Sequence, residues 1–237
     1  MLQENYDMTA SITAIVPVYN EEQFLQQSVS RLLEVEEIDT IYLVDDCSVD
    51  SSRQIMEQLL LSNDKISLFQ TDKNGGKGKA ICSVQKHLTT DYVIIHDADL
   101  EYYPKDIKKL IEKIDINNPN LVLGSRFLHE NKKQIYLRTF LANKFLSWVF
   151  SIVYFVKVTD IATCYKLMPA EYFKNIQFFE NGFAIEVELL SKYFKFNKTK
   201  NFSEVPINYK ARSYEDGKKI KLKDGFKYLF AMFKYRF

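Results

Sequence analysis

Cysteine is scarce in this sequence, and its scarcity excludes two classes of protein. Only three cysteines, Cys47, Cys82 and Cys164, occur among the 237 residues, and no two of them have the C-x-x-C spacing. So few and so widely separated cysteines form neither a zinc signature nor a disulfide framework. We therefore expect a protein of a reducing compartment, with a cytoplasmic location.

An excess of charge of one sign is also missing. Lys and Arg total 32 while Asp and Glu total 31, which gives a formal net charge of +1. A general nucleic-acid binder needs a large basic excess to neutralise phosphates. This balance argues against nucleic acid as a partner.

Long apolar runs are absent as well. No segment reaches the roughly 18 consecutive apolar residues that a membrane-spanning helix needs, and the nearest candidate, 145–158, is shorter. Residues 1–9 are polar and acidic, without the basic start and apolar run of a signal peptide. We expect a protein that is soluble or peripheral on the cytoplasmic face of a membrane.

The first half of the chain alternates short apolar runs with segments of helical periodicity. The predicted strands are 12–18, 41–44, 66–69, 92–95 and 121–123, and the predicted helices are 21–35, one capped by Asp50 or Ser51, 76–88 and one beginning at Pro104. Alternation of this kind predicts a mostly parallel sheet with helices on both faces. Ligands of such sheets bind beyond the carboxyl ends of the strands.

The second half has a different pattern. It predicts helices at 135–158 and 184–193, a strand at 204–209, and a tail from Asp216 that is first basic and then aromatic. Hydrophobic residues make up 46% of the chain, enough for one substantial core. Since no repeat or low-complexity linker interrupts the chain, we expect a single α/β domain over 1–237 with a C-terminal extension.

An acidic cluster directly follows the strand predicted at 92–95. Asp97 and Asp99 point the same way if the chain stays extended there, and Glu101 is a third candidate. Such hard oxygen ligands suit Mg²⁺ or Mn²⁺ held together with a diphosphate. A polar turn that caps the next helix is the alternative. His96 is predicted to point to the opposite side, into packing.

A second acidic segment, 44–50, follows the strand at 41–44. Asp46 at this strand end can bond a nucleobase or a ribose hydroxyl, whereas Ser48 or Asp50 can instead cap the next helix. Two acidic strand ends in one parallel sheet would line the same crevice, so together they indicate a ligand site more specifically than either segment alone.

Two further segments have weaker signals. Tyr19, after the first strand, can pack on a base, while Glu21 and Glu22 fit a helix N-terminus whatever the function. The segment 74–79 combines glycines, which permit close backbone approach, with lysines, which attract phosphate. Its spacing is not that of a P-loop, so an ATPase is rejected, and a flexible turn remains the alternative.

Two basic segments complete the pattern. Arg126 follows the strand at 121–123, and the segment 212–219 contains Arg212, Lys218 and Lys219. Guanidinium groups hold phosphate oxygens in a fork. The alternative for 212–219 is a solvated basic loop.

Taken in order, these segments resemble family 2 glycosyltransferases of the GT-A fold, and most of all the polyprenol-phosphate sugar synthases. The matching segments are 16–22, 44–50, 75–79, 97–104, 124–127, 160–166, 182–189 and 204–219. The resemblance implies a Rossmann-like, mostly parallel sheet. It further implies a nucleotide-sugar-binding half at about 10–130 and an acceptor-side half with the basic aromatic tail at about 131–237.

The resemblance also implies a role for each matching residue. On the donor side, the residues implied to hold the nucleoside are Pro17, Tyr19, Glu21 and Asp46, with Lys77 near the nucleotide. The sugar diphosphate is implied to bind at Asp97, Ala98 and Asp99. Two basic residues, Arg212 and Lys218, are implied to close over the diphosphate. The implied metal ligands are Asp97, Asp99 and Glu101. On the acceptor side are Arg126, Arg138, Asp160 and Glu186, and the implied catalytic set is Asp97, Asp99, Arg126 and Arg212.

The implied reaction is the inverting transfer of a hexose from a UDP-glucose or GDP-mannose type donor to a polyprenyl or dolichyl phosphate. A phosphate acceptor is already an anion, so it needs no strong base, whereas a hydroxyl acceptor would need Asp160 or Glu186. A saccharide hydroxyl in surface glycan assembly and a catalytically inactive binding subunit are the alternatives. A nucleotidyltransferase is disfavoured because the first strand is followed by acidic residues.

The helix predicted around Trp148 bears on the acceptor. Its predicted apolar face consists of Phe145, Leu146, Val149, Phe150, Val153 and Tyr154. Such a helix can lie in a membrane interface near a lipid acceptor, and the tail 218–237 can contact an anionic leaflet. Burial in the core or in a homo-oligomer contact is the alternative.

Overall fold

The computed structural model describes residues 10–128, 137–197, 201–212 and 222–237, with the backbone alone at 222–224. The seven strands are β1 Ile12–Val18, β2 Thr40–Asp45, β3 Ile66–Gln70, β4 Tyr92–Ile95, β5 Leu121–Ser125, β6 Lys166–Pro169 and β7 Phe202–Pro206. The helices are α1 Leu25–Leu33, α2 Ser52–Ser62, α3 Lys77–Ser83, α4 Ile107–Ile111, α5 Leu137–Tyr154, α6 Ala170–Asn175, α7 Ile185–Phe196 and α8 Leu222–Arg236. Turns of 3₁₀ helix lie at Gln85–His87 and Pro104–Asp106.

The strands form one sheet in the order β3-β2-β1-β4-β6-β5-β7. Every neighbouring pair is parallel except those of β6, which runs antiparallel to both β4 and β5. The carboxyl ends of β1, β2, β4 and β5 therefore meet at one edge. The mostly parallel sheet predicted from the sequence is confirmed.

The strands are buried along most of their length. All four residues of β4 are buried, as is every residue of β2 except Thr40. A strand covered on both faces needs apolar side chains in both directions, so it reads as a continuous apolar run. This is why β2 and β4 were predictable from short apolar runs.

The helix predicted at 76–88 is interrupted. The helix α3 ends at Ser83, and the chain continues as the 3₁₀ turn Gln85–His87. The Gln85 side chain donates to the carbonyls of Phe173 and Ile176 at the end of α6. A tertiary contact therefore replaces the helical continuation that local periodicity predicted.

Three elements of the second half were not predicted. The strand β6 has only four residues and begins with a buried lysine, Lys166, and α6 follows it directly. The predicted tail contains α8, which packs against α5 and α7. The strand predicted at 204–209 lies instead at Phe202–Pro206.

The apolar face predicted on α5 packs against the core, which is the alternative to membrane contact that the sequence left open. Leu146, Phe150 and Tyr154 are buried, whereas Phe145 is 54% exposed. Packing against α7 and α8 takes up one stripe of the helix. A different apolar set is exposed, comprising Leu137, Leu141, Phe145, Trp148, Ile152 and the following Phe155. Within the described residues, no helix combines the length and apolar character needed to cross a bilayer.

Candidate active site

A pocket opens at the sheet edge where β1, β2, β4 and β5 end. Twelve of the residues singled out in the sequence line it: Pro17, Tyr19, Glu21, Asp46, Lys77, Asp97, Ala98, Asp99, Glu101, Arg126, Glu186 and Arg212. Parallel strands deliver the segments that follow them to one edge, and this is why distant motifs meet here. Arg138 and Asp160 do not line this pocket, and Lys218 lies outside the described residues.

Asp97 is paired with a lysine from the glycine-containing segment. Lys77 Nζ lies 2.7 Å from Asp97 Oδ1 and 2.7 Å from Glu186 Oε1. Burial by itself would raise the pKa of Asp97, but the charge and hydrogen bond of Lys77, together with smaller contributions from Cys164 and His96, lower that pKa. The Asp97 carboxylate is therefore ionised and already has a cation beside it.

Asp99 faces a different cation. Its Oδ2 lies 3.1 Å from Nη2 of Arg212, and its Oδ1 accepts the backbone N–H of Glu101. Leu100 has a φ of 62°, so the chain turns here and does not stay extended. Both aspartates line the pocket as predicted, but they contact different cations, Lys77 for Asp97 and Arg212 for Asp99.

Glu101 fastens the chain after β7 to the end of β4. Its carboxylate accepts the Tyr209 hydroxyl at 2.6 Å and the backbone N–H of Arg212 at 2.6 Å. Its backbone carbonyl accepts the N–H of Lys210 at 2.8 Å. These three bonds hold Arg212 over the acidic cluster.

The predicted metal ligands Asp97, Asp99 and Glu101 suit a hard cation by their chemistry, since all are carboxylates. Within the described ranges, however, no group of three or more His, Cys, Asp or Glu side chains is arranged to hold a metal ion. The reason is visible in the contacts, since Lys77 takes Asp97 and Arg212 takes Asp99. A Mg²⁺ or Mn²⁺ ion bound here would therefore need diphosphate oxygens among its ligands.

Asp99 is expected to make stability depend on pH. Burial, Asp97 and Glu101 raise the pKa of Asp99 from 3.8 to about 7, against the opposing effect of Arg212. Because the folded protein takes up this proton between pH 8 and 6 and the unfolded chain does not, acidification should stabilise the fold by about 1 kcal/mol. The expected rise in melting temperature is about 2–4 °C.

Thermal melts in EDTA at pH 6, 7 and 8 check this expectation when the wild type is compared with Asp99→Asn. The variant lacks the titrating carboxylate, so the difference between the two pH slopes isolates Asp99 from the histidines. Identical slopes would contradict the assignment.

Asp46 orders the glycine-containing segment. Its carboxylate accepts the N–H of Gly75 at 3.0 Å, the N–H of Gly76 at 2.6 Å and the hydroxyl of Thr71 at 2.9 Å. Gly76 has a φ of 90°, a conformation that side chains disfavour. The contact of Asp46 with a nucleoside stays a prediction.

Glu21 contacts the same arginine as Asp99. Its Oε2 lies 3.1 Å from Nη1 of Arg212, and its backbone N–H donates to Ser52 Oγ at the start of α2. Tyr19 is 37% exposed at the rim of the pocket. Asp50 Oδ1 accepts the N–H of Ser52, the first residue of α2, at 3.0 Å, but the N-cap of that helix is Ser51, whose side chain makes no capping bond.

Arg126 and Asp160 form a buried, two-pronged ion pair. Nε of Arg126 lies 2.7 Å from Oδ2 of Asp160, and Nη2 lies 2.8 Å from Oδ1. The backbone N–H of Arg126 donates to the same carboxylate. Only the arginine lines the pocket, so Asp160 orients Arg126 from behind, while Arg138 is exposed near the start of α5.

Some lining residues were not identified from the sequence. Four of them are aromatic, namely Tyr102, Phe183, Tyr209 and Tyr228. Tyr228 belongs to α8, whose buried residues Tyr228, Ala231, Met232 and Tyr235 recur at helical spacing. That periodicity was the signal available in the sequence.

The prediction for His96 is confirmed. Its ring is buried, with Nε2 3.0 Å from Ser28 Oγ and Nδ1 3.0 Å from the Tyr165 hydroxyl. Burial lowers the pKa of His96 to about 4. The neutral ring supports the end of β4 behind the aspartates.

The fold matches solved glycosyltransferase structures. Glucosyl-3-phosphoglycerate synthase from Mycobacterium tuberculosis, solved with Mn²⁺, UDP and phosphoglyceric acid, superposes with a TM-score of 0.69 at 14% identity, covering 96% of this chain and 78% of that one. Mannosyl-3-phosphoglycerate synthase from Rubrobacter xylanophilus gives a TM-score of 0.72 at 17% identity, covering 95% and 72%. At these identities the likeness establishes the GT-A fold.

Sequence comparisons go further. An uncharacterised protein of Methanocaldococcus jannaschii is 30% identical over 224 residues, or 87% of this chain and 93% of that protein. The dolichol-phosphate mannosyltransferase of Pyrococcus furiosus is 26% identical over 227 residues, or 92% of this chain and 61% of the enzyme's length. The model of the family described as Glycosyl transferase family 2 matches residues 13–194. The chain therefore belongs to glycosyl transferase family 2.

Proposed function

We propose that this protein transfers a hexose, with inversion, from a nucleotide diphosphate sugar to a polyprenyl or dolichyl phosphate. The observation that carries the proposal is the state of the pocket's acidic groups. All its carboxylates among the described residues are engaged by cations or by hydrogen-bond donors of the protein, and these residues are Glu21, Asp46, Asp97, Asp99, Glu101 and Glu186.

This engagement favours an acceptor that arrives already ionised. A hydroxyl acceptor needs a general base with a free lone pair within reach of its proton. Of the two predicted candidates, Asp160 does not line the pocket and pairs with Arg126 through both oxygens. Glu186 has an ammonium beside each oxygen, Lys77 at 2.7 Å and Lys166 at 2.5 Å, although the contact with Lys77 is an ion pair without an aligned hydrogen bond. A phosphate needs no such base, and Arg126 can present a guanidinium to it at the pocket wall.

The donor side of the proposal rests on the residues around the acidic pair. Arg212 is held where its guanidinium can meet the charge that develops on a departing diphosphate. Asp99 and Glu101, with diphosphate oxygens, would hold a Mg²⁺ or Mn²⁺ ion. When bound, that ion would offset the charge of the leaving group.

The comparisons support an anionic acceptor. The Pyrococcus furiosus relative is a dolichol-phosphate mannosyltransferase, and the M. tuberculosis structure contains phosphoglyceric acid beside Mn²⁺ and UDP. Dolichol phosphate and phosphoglyceric acid each carry a phosphate group. A lipid phosphate is preferred here because of the surface formed by α5 and α8.

The two helices pack against each other, and each has exposed apolar residues and basic side chains in or next to it. Besides the exposed set on α5, the aromatic residues Phe226, Phe230, Phe233 and Phe237 of α8 and its end are 48–92% exposed. The helix α5 contains no acidic residue, and exposed lysines stand at 157, 227 and 234. Aromatic and basic side chains together favour peripheral contact with an anionic membrane.

The test has a donor step and an acceptor step. A thermal-shift panel of nucleotide sugars with Mn²⁺ should identify one donor, since a ligand at about 100 times its Kd stabilises by about 2.7 kcal/mol. With that donor labelled, transfer to polyprenyl phosphate in anionic vesicles should exceed transfer to saccharides or phosphoglycerate. Transfer only to a saccharide would support surface glycan assembly, and no donor binding would support the inactive binding subunit.

The same vesicles report on the membrane surface. Wild-type protein should float with them, whereas a Trp148→Ser, Phe230→Ser double variant should not. Leu61→Ser is the matched control, because Leu61 is 88% exposed on α2 and does not belong to that surface. Equal flotation of the double variant and the wild type would contradict membrane contact by α5 and α8.

A further inference from the structure

A buried lysine outside the pocket is linked to the pocket through two other charges. Lys166, at the start of β6, is fully buried and does not line the pocket. Its ammonium donates to the carbonyl of Thr163 and lies 2.5 Å from Glu186 Oε2. Neither the reaction proposed above nor the predicted site gives this residue a task.

Glu186 carries the link onward. Its second oxygen, Oε1, lies 2.7 Å from Lys77 Nζ, which in turn lies 2.7 Å from Asp97 Oδ1. The four charges therefore alternate in sign from the sheet interior to the pocket. Their sum is zero, and the middle two groups each have two partners of opposite sign.

Because these four charges are buried, removing one of them changes how the others pair. A buried charge without a partner is costly, so buried groups shift toward whatever counter-charge remains. Without Lys166, Glu186 would have Lys77 as its one cation among these four groups, and it would compete with Asp97 for that ammonium. Asp97 would then face the donor diphosphate with its charge less compensated.

We infer that Lys166 is a positioning residue. As the counter-charge of Glu186, it allows the Lys77 ammonium to stay paired with Asp97, in the geometry that accepts the donor diphosphate. This role rests on the proposed function, because it concerns donor binding. Lys166 touches neither donor nor acceptor and acts through Glu186 and Lys77.

A double-mutant cycle on donor affinity tests the inference, because it separates action through Glu186 from a general effect of charge or packing. Lys166→Met should weaken binding of the selected nucleotide sugar about tenfold by calorimetry, the scale of losing a supporting partner of a ligand-holding group. In a Glu186→Gln background the same substitution should change the affinity less than about twofold. Equal weakening in both backgrounds would overturn the inference.

The structure supplies a matched control on the same helix. Lys192 and Glu188 of α7 also form a buried lysine–glutamate pair, with 2.5 Å between Nζ and Oε1, and neither lines the pocket. Lys192→Met should lower the melting temperature but leave the donor affinity unchanged. A similar loss of donor affinity in Lys192→Met would show that any broken buried pair has this effect, which overturns the inference.

Folding of the variants is informative in either case. Should Lys166→Met not fold, the Lys166→Met, Glu186→Gln variant should still fold and bind donor like Glu186→Gln, because its buried carboxylate is gone. Failure of that double variant to fold overturns the inference. A wild type that binds no nucleotide sugar contradicts the proposed function and this inference together, whereas donor binding with equal losses contradicts the inference alone.

Discussion

Asp99→Asn is expected to lower the turnover of sugar transfer about a thousandfold, the upper range for removing one group that stabilises transition-state charge. Asparagine keeps the size of the side chain and an oxygen for the N–H of Glu101, which now donates to Asp99 Oδ1. What it removes is the negative charge beside Arg212, where the proposed cation would bind. The measurement is transfer of labelled sugar with the selected donor at saturating Mn²⁺.

Stability provides the control for this loss. Burial and the neighbouring carboxylates raise the pKa of Asp99, so removing its charge should not lower the melting temperature, and above pH 7 should raise it. Asp64→Asn removes an exposed carboxylate outside the pocket and should leave turnover unchanged. Turnover of Asp99→Asn within tenfold of the wild type would contradict the role of this aspartate.

Asp160→Asn is expected to destabilise the fold by about 3–5 kcal/mol, which is typical when one partner of a buried ion pair is removed. Arg126 would remain 8% exposed with no full counter-charge, since Asp160 supplies contacts at 2.7 and 2.8 Å. For a chain of this length, the melting temperature should fall by about 10 °C. Differential scanning calorimetry of the wild type and the variant measures the effect.

Two further variants test whether loss of the Arg126–Asp160 ion pair causes the loss of stability. Arg126→Met with Asp160→Leu removes both charges and should recover most of the stability, but not the transfer activity, because Arg126 lines the pocket. Glu57→Gln breaks the exposed Arg53–Glu57 pair on α2 and should cost less than about 1 kcal/mol. A melting temperature of Asp160→Asn within 2 °C of the wild type would show that Asp160 does not hold Arg126.

These two predictions also divide the roles of the acidic residues. Asp160 was a candidate base for a hydroxyl acceptor, but its contacts make it the counter-ion that fixes Arg126. Asp99 has the opposite character, because its neighbours oppose its ionisation and a bound cation would relieve that opposition. Both carboxylates face an arginine, but Asp99 also has Asp97 and Glu101 beside it, and these added negative charges distinguish the two roles.

The pocket-forming segments were predictable because their signals are local. Short apolar runs alternating with helical periodicity predict parallel strands, and polar residues directly after those runs must gather at one sheet edge. Asp46, Asp97 and Arg126 each follow such a strand, and all three line one pocket. Their meeting follows from topology and needs no knowledge of side-chain contacts.

Elements whose formation depends on tertiary contacts were not predictable in this way. The strand β6 is four residues long and starts with a charged residue, so neither length nor periodicity marks it as central to a sheet. It forms because β4 and β5 pair with it from both sides. The buried stripe of α5 likewise depends on where α7 and α8 pack.

The sequence by itself determined the parallel strands of the first half, the edge at which the motifs meet and the residue types available there. Only the tertiary structure decided which cation faces which carboxylate, as in Lys77 with Asp97 and Arg212 with Asp99. The physical reason is the range of the two effects. Strand and helix patterns arise between residues a few positions apart, whereas a buried ion pair joins whichever side chains packing brings together, however distant they are in the chain.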